Sequence, residues 1–210
     1  MASAFAHAVA ATALGTLMGV PWRLWGVLSL GVICAIVPDL DSVGFWFGIP
    51  YEHPLGHRGL SHSIVFAAFM SWCLVRFGFR DRSRGEQHRL GWFLFLATAS
   101  HGVLDAMTNG GLGVAFFAPF DNTRYFFSFR PIEVSPLEPQ KFFTRRGVGI
   151  LATEVVWVGI PSVAVMLGVT MWRRRCARMA QTSSVIQDLG VRRVTESASP
   201  AAGASEKSNN

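Results

Sequence analysis

Five apolar runs divide this chain, and their length favours helices that cross a membrane. A bilayer requires roughly 20 apolar residues for one helical crossing, because its hydrocarbon core is about 30 Å thick. The first, second and fourth runs are shorter, so we expect loop residues or a locally thin bilayer to complete those crossings. The sequence therefore predicts an all-α, polytopic membrane protein with about five transmembrane helices. The runs extend over Ala4–Val20, Leu24–Val37, Leu60–Phe79, Leu90–Met107 and Val148–Trp172.

Composition agrees with a membrane protein rather than a soluble domain. Half of the 210 residues are hydrophobic and only 15% are charged. The net charge of +6 could indicate a nucleic-acid partner. However, the basic residues stand mainly beside the apolar runs, where they set topology, and we expect no nucleic acid to bind. The three cysteines form no CxxC pattern, which argues against a disulfide framework and against a cysteine metal site.

The placement of basic residues predicts the orientation. If all five runs cross, ten arginines near the membrane fall on one side and six basic residues on the other. The positive-inside rule makes the side with ten arginines cytoplasmic, so the N-terminus lies outside and the C-terminus inside. Residues 1–178 are predicted to form the membrane-embedded domain. Residues 179–210 are rich in Ser and Ala without a sustained apolar period, and they are predicted to be a disordered cytoplasmic tail.

Ionisable side chains collect where the predicted helices begin or end. Alternating ends of successive transmembrane helices lie on the same side of a membrane, so these side chains are all expected at the outer face. Charged groups at the edge of a hydrocarbon phase usually face a cavity, a metal or a proton path. The sequence therefore predicts a functional site at that face. The candidates are His7, Asp39, Asp41, His57, Arg58, His62, His101, Asp105 and Glu154.

Spacing along the chain predicts the local geometry of this site. His101 and Asp105 are four residues apart, which places them on one helix face. Asp39 and Asp41 are two residues apart, and they point the same way only if the segment after Pro38 is extended, as we predict. His57 is expected in a loop that folds back at nearby glycines. The helix N-terminus beside Arg58 predicts a seat for a phosphate or carboxylate.

A mixed set of imidazole and carboxylate donors suits Zn, Mn or Fe better than Ca or Mg. The donors outnumber one tetrahedral site, which leaves room for two metals or for a carboxylate acting as a base. Other roles are open to some of them: an interhelical hydrogen bond for His7, helix capping for the two aspartates after Pro38, and an ion pair for Glu154. His53 and His88 are expected to be solvated loop residues. The predicted metal ligands are His7, His57, His62, His101, Asp105 and Glu154.

A long connection, Asn109–Gly147, precedes the fifth run and contains eight phenylalanines. Long loops are usually functional or disordered, and the many aromatic residues argue against disorder. The loop is expected to be either a lid over the site or an aromatic belt that anchors the protein at the membrane surface.

Several motifs together resemble one known family. The chain resembles the YdjM family of LexA-regulated, inner-membrane, metal-dependent hydrolases over about residues 1–172. This resemblance implies an inner-membrane location and metal-dependent hydrolysis. The family's His and Asp pattern is similar to that of zinc-dependent phospholipases C, which implies a phosphoester substrate. The motifs are His7, Pro38-Asp-Leu-Asp41, His57-Arg-Gly-Leu-Ser-His-Ser63, His101-Gly-Val-Leu-Asp105 and the stretch from Thr108 to Phe120.

The resulting hypothesis is a membrane-bound hydrolase that acts on a lipid or lipid-linked phosphoester at the outer face of the inner membrane. A divalent transition metal, with Zn favoured over Mn or Fe, would lower the pKa of a bound water. Asp39 or Asp41 would accept its proton, and Arg58 would stabilise negative charge. The alternatives are a proton or metal-ion pathway and a structural metal site.

The predicted orientation can be tested with topology reporters. A reporter fused after Arg84 should behave as cytoplasmic, and one fused after Asp121 as extracytoplasmic, because the arginine-rich side should remain inside. The reverse pattern would invert the topology and move the site to the cytoplasmic face.

Overall fold

The computed structural model describes residues 1–20, 25–135 and 145–197 of the chain. In these residues it contains α-helices and short helical turns, and its β-pairing is limited to isolated bridges such as Val114 with Tyr125. The predicted all-α class is therefore confirmed. The helices are α1 (Ala4–Leu17), α2 (Trp25–Ile36), α3 (Ile64–Gly78), α4 (Arg84–Ala106), α5 (Arg145–Glu154) and α6 (Ile160–Ser197).

Shorter helical segments lie before or between some of these α-helices. A first 3₁₀ helix, Val37–Phe47, continues directly from α2, and a second, Leu60–His62, precedes α3. A π-helical turn, Val155–Gly159, joins α5 to α6. The hydroxyl of Ser63 accepts a hydrogen bond from the Phe66 amide at 3.0 Å and thereby starts α3 immediately after His62.

Helices α1 to α4 form a bundle in which α4 contacts each of the other three. Phe93 of α4 is fully buried, and it lies against glycines of the neighbouring helices. A Cβ atom on Gly31 of α2 would lie only 2.3 Å from the ring of Phe93, and one on Gly15 of α1 only 3.1 Å from it. Small residues at helix contacts let backbones approach closely, as is common in membrane bundles. This packing fixes the ends of α2 and α4 relative to each other.

The structure supports fewer membrane crossings than the five predicted. Among the described residues, Trp25–Phe47 and Gly147–Thr182 are the helical stretches long and apolar enough to span a bilayer. Helices α1 and α3 are apolar but have only 14 and 15 residues, or about 21 and 23 Å at 1.5 Å per residue. Both are shorter than the hydrocarbon core. Two spans are supported by length and composition, and a count of about five is not confirmed.

The chain divides into two compact units, Met1–Leu167 and Gly168–Asn210. The first contains the bundle and every candidate site residue. In the second, α6 continues to Ser197, whereas the sequence predicts a disordered tail from Met179. Arginine, alanine, methionine and glutamine favour helices, which is consistent with a helix in a stretch that lacks an apolar period. The rest of the predicted tail, 198–210, lies outside the described residues.

Candidate metal centre

The bundle brings ionisable side chains from separate segments together at one end. They come from α1, from the 3₁₀ helix after α2, from the loop before α3 and from the last turns of α4. His101 and Asp105 share one buried face of α4, as their spacing predicts. One donor atom from each member of a four-residue group lies within 4.8 Å of the other three donor atoms. The group is Asp39, His62, His101 and Asp105.

The centre of this group is a pair of imidazoles. The Nε2 atoms of His62 and His101 are 3.0 Å apart, and both side chains are fully buried. The Nδ1 atom of His101 lies 2.7 Å from the carbonyl oxygen of Ala35, which can only accept a hydrogen bond. Nδ1 therefore carries the proton, and the Nε2 atom of a neutral His101 presents a lone pair.

The other imidazole is oriented in the same way. The Nδ1 atom of His62 lies 3.1 Å from Asp41 Oδ2 and 2.9 Å from the hydroxyl of Ser61. A carboxylate at Nδ1 favours a proton there, so Nε2 of a neutral His62 is also a lone pair. Two lone pairs that face each other at 3.0 Å repel unless a cation lies between them. A bound proton or a metal ion between the two Nε2 atoms would remove this repulsion.

Two carboxylates flank the imidazole pair. Asp39 Oδ1 is 3.2 Å from His101 Nε2 and 3.8 Å from His62 Nε2, while Asp105 Oδ2 is 3.9 and 3.6 Å from the same atoms. Neither oxygen of Asp39 makes a hydrogen bond of good geometry, although both are buried. Tetrahedral Zn²⁺ with bonds of about 2 Å would separate its ligand atoms by about 3.3 Å. The four residues therefore fit a transition-metal ion with small adjustments.

Asp41 supports the imidazoles from outside this group. Its Oδ1 lies 2.6 Å from His57 Nδ1, and its Oδ2 accepts hydrogen bonds from the Arg58 amide at 3.1 Å and from Ser61. Asp41, His57 and His62 form a second, overlapping group of possible metal donors. The Nε2 atom of His57 is buried and has no hydrogen-bond partner among the described residues.

The predicted extended segment after Pro38 is wrong. Asp39 and Asp41 lie in the 3₁₀ helix Val37–Phe47, which begins with Pro38 in its first turn. At three residues per turn, side chains two apart diverge by about 120°. Asp39 therefore approaches His62 from its Nε2 side, while Asp41 approaches the Nδ1 side. The two aspartates flank one imidazole instead of pointing the same way.

Arg58 does not form the open anion seat that the sequence predicts. It is fully buried with a φ of 62°, and its Nε donates to Asp105 Oδ2 at 3.0 Å. Its Nη1 and Nη2 donate to the carbonyl of Gly110 and to the hydroxyl of Thr108, each at 2.9 Å. At Gly111, where φ is 84°, a Cβ would lie 2.9 Å from Nη1. The guanidinium of Arg58 thus connects the Asp105 carboxylate to the turn that follows α4.

His7 and Glu154 occupy different positions near the group. The ring of His7 stacks on His101 with centroids 3.8 Å apart, and its Nε2 lies 3.8 Å from Asp105 Oδ1. Both ring nitrogens of His7 are buried without a hydrogen bond. Glu154 instead accepts hydrogen bonds from the amide and hydroxyl of Ser3, so it ties α5 to the start of α1. Glu154 is not a member of either donor group.

The loop that carries His57 folds back as predicted. Cβ atoms on Gly56 and Gly59 would come within 2.3 and 2.2 Å of backbone oxygens, so side chains are excluded there. Arg124, which the sequence predicts near lipid headgroups, donates to the carbonyls of His57 and Tyr51 at 2.9 Å each. A side chain that binds backbone carbonyls has no sequence signature, so this role was not predicted.

The remaining sequence predictions are met in part. His53 and His88 are both exposed, but only His53 lies in a loop, because His88 belongs to α4. The aromatic-rich connection is described only to Ser135, and residues 136–144 lie outside the described residues. Its Ala115 amide donates to the carbonyl of Arg58 at 3.0 Å, while Phe120 is 87% exposed. The connection therefore packs on the ligand-bearing loop and also exposes aromatic surface.

Comparison of the sequence with known proteins identifies its family. The family model described as YdjM inner membrane protein matches residues 1–176. Inner membrane protein YbcI of Escherichia coli (strain K12) is 35% identical over 178 residues, which cover 83% of this chain and all of that protein. No solved structure matches. Both matches support an inner-membrane location, and the chain belongs to the YdjM inner membrane protein family.

Proposed function

We propose that this chain is a membrane-bound, metal-dependent hydrolase of phosphoesters whose metal ligands are drawn from Asp39, His62, His101 and Asp105. The observation that carries the proposal is the pair of Nε2 atoms facing each other at 3.0 Å. Both Nδ1 atoms face hydrogen-bond acceptors, so neither imidazole can relieve the contact by changing tautomer. Two buried carboxylates beside this pair supply the negative charge that a divalent cation requires.

The donor set favours a transition metal. Imidazole nitrogen and carboxylate oxygen are typical ligands of Zn, Mn and Fe, whereas Ca and Mg prefer oxygen alone. When bound, such an ion supplies Lewis-acid chemistry, which polarises a phosphoryl oxygen and makes a water more acidic at neutral pH. Zn remains the favoured ion, because the paired imidazoles resemble the ligands of many zinc sites.

The surrounding residues assign different roles to the two aspartates. Asp41 is saturated by His57, His62, Ser61 and the Arg58 amide, so it orients imidazoles and has little capacity to accept another proton. Both oxygens of Asp39 are buried without hydrogen bonds, although the residue as a whole is 8% exposed, more than the other three donors. Of the two aspartates, Asp39 is therefore the better proton acceptor whenever it is not bound to the metal. Arg58 is a positioning residue for Asp105.

A lipid or lipid-linked phosphoester is the substrate class that the location supports. The 3₁₀ helix that carries Asp39 also exposes Leu40, Trp46 and Phe47, which are 62, 85 and 79% exposed. Exposed apolar side chains beside the more accessible edge of the site suit a substrate that approaches from the membrane. If all five apolar runs cross the membrane, the arginine distribution predicts that this edge lies at the outer face.

A structural metal site is a second candidate. Its support is burial, because the four donors are 0–8% exposed and already equal the four protein ligands of a closed zinc site. An ion pathway has less support. Among the described residues, the buried polar groups deeper in the bundle are hydroxyls that donate to helix carbonyls, such as those of Thr16, Thr98 and Ser71. Such groups do not exchange protons near neutral pH.

Metal content is the first test. Protein purified without chelators should contain a stoichiometric transition metal, and His101→Ala or Asp105→Ala should lose most of it and melt at a lower temperature, because the ion joins α4 to the loop before α3. A chelator should reproduce the lower melting temperature in the parent. Elemental analysis and thermal melting in detergent measure both quantities. His53→Ala is the matched control and should change neither. Metal-free parent protein whose variants melt normally would refute a metal centre.

Activity is the second test, and it separates the hydrolase from a structural site. Metal-loaded protein in mixed micelles should cleave phosphodiester model substrates, and Asp39→Asn should lower kcat by roughly 100-fold or more because proton transfer is lost. Phosphate or alcohol release measures the rate, and the chelated parent is the blank. A fully metallated parent with no turnover on phospholipid and lipid-linked phosphoester substrates would favour the structural site.

The role of Arg58 gives a third test. Arg58→Lys should reduce metal affinity by roughly 10- to 100-fold, because one ammonium cannot bind Asp105, Thr108 and the Gly110 carbonyl together. Metal titration of the stripped protein measures the change. Arg130→Lys is the control, because Arg130 lies over the ring of Phe126 in the exposed connection. Full metal affinity combined with lost hydrolysis would instead restore the anion-clamp role predicted from sequence.

A further inference from the structure

A groove runs along the outside of the bundle between α3 and α4, and the candidate metal ligands do not line it. Its volume is about 610 Å³, and most of its lining is apolar. Ile64, Trp72 and Val75 line it on α3, and His88, Trp92 and Phe95 line it on α4. Trp72 and Trp92 are 58 and 57% exposed, so they border the groove without filling it.

Close helix contact forms the floor of this groove. The hydroxyl of Ser71 donates to the carbonyl of Gly91 at 2.7 Å, and a Cβ on Gly91 would still have ordinary contacts of 3.7 Å or more. The missing side chain at Gly91 leaves a depression between the two tryptophans. The groove is therefore built into the α3–α4 contact rather than produced by one mobile side chain.

The length of the groove matches one leaflet of a bilayer. The lining extends along α3 from Ile64 to Val75, which corresponds to about 16 Å at 1.5 Å per residue. Half of a hydrocarbon core is about 15 Å. A single acyl chain lying along the helices would fit this length.

One end of the groove is basic. Arg84, His88, Trp92 and Phe95 follow a helical stripe on α4, so Arg84 lies on the same face one turn beyond His88. Residues 76–89 contain five arginines but only two acids, Asp81 and Glu86. The two acids already pair with Arg80 and Arg82, at 3.8 and 3.7 Å. Among the described residues no ion pair involves Arg84.

The groove is apolar, it is about as long as one leaflet of a bilayer, and it has unbalanced positive charge at one end. These properties complement an amphipathic anion. We propose that it binds an anionic phospholipid, with one acyl chain between Trp72 and Trp92 and the phosphate beside Arg84 and His88. Arginine near a membrane surface attracts anionic lipids, and an arginine guanidinium can bind two phosphate oxygens at once. This site is independent of the metal centre and of hydrolysis.

The test uses delipidated full-length protein in detergent, titrated with phosphatidylglycerol or with phosphatidylcholine and observed by native mass spectrometry. The parent should bind one molecule of phosphatidylglycerol and should bind phosphatidylcholine more weakly. Arg84→Gln should weaken phosphatidylglycerol binding about fivefold, as expected for one arginine near an anionic headgroup, and leave phosphatidylcholine unchanged. Arg76→Gln removes the same charge from α3, where Arg76 is turned about 100° around the helix from Val75 of the lining, and it should have little effect.

A second pair of variants tests the apolar part of the groove. Ala68 is exposed and lines the groove, so Ala68→Trp should fill it and abolish binding of both lipids. Val65→Trp adds the same bulk on α3 outside the lining and should bind as the parent does. Unchanged binding by Ala68→Trp, or equal affinity of the parent for both headgroups, would overturn the proposal. A lipid-free dimer that Ala68→Trp converts to a monomer would also overturn it, because the groove would then be an interface between two copies.

Discussion

The contact between the Nε2 atoms of His62 and His101 is the constraint on which the rest of the site depends. It persists because the carbonyl of Ala35 and the carboxylate of Asp41 face the opposite nitrogens. These partners belong to α2 and to the 3₁₀ helix that follows it, so the bundle itself determines where the two lone pairs meet. A cation at this point would join α4, the loop before α3 and the segment after α2. Binding of that ion and packing of the bundle are therefore coupled.

The sequence predicted which residues lie close together better than it predicted how they are arranged. The spacing of His101 and Asp105 determines their shared face wherever a helix forms, so that prediction held. The separation of Asp39 and Asp41 depends on the local backbone, and the apolar residues around Pro38 do not distinguish an extended segment from a 3₁₀ helix. The environment of Arg58 was also not predictable from the local sequence. Whether an arginine beside a helix N-terminus faces solvent or a buried carboxylate depends on distant residues such as Thr108.

The bounds of α3 differ from those of the third predicted run for a physical reason. Hydropathy counts apolar residues, but capping and turn residues determine where a helix begins. Ser63 starts α3 after the buried His62, so residues predicted to extend the third crossing instead carry the site. The short α1 and α3 thus leave room at one end of the bundle for polar segments. The polar site at one end of the bundle and the short apolar helices are two consequences of the same local interactions.

The four donors differ in how many contacts hold them, and this difference bears on whether a buried site can be catalytic. Both oxygens of Asp105 are held, Oδ1 by the Ala2 amide at 2.7 Å and Oδ2 by Arg58 at 3.0 Å. His101 is fixed by a carbonyl and by stacking on His7. Asp39 makes no hydrogen bond of this kind, and as a residue it is 8% exposed, more than the other three donors. A site of this kind can keep three donors in place while the fourth moves, which would open a position for water without unfolding the bundle.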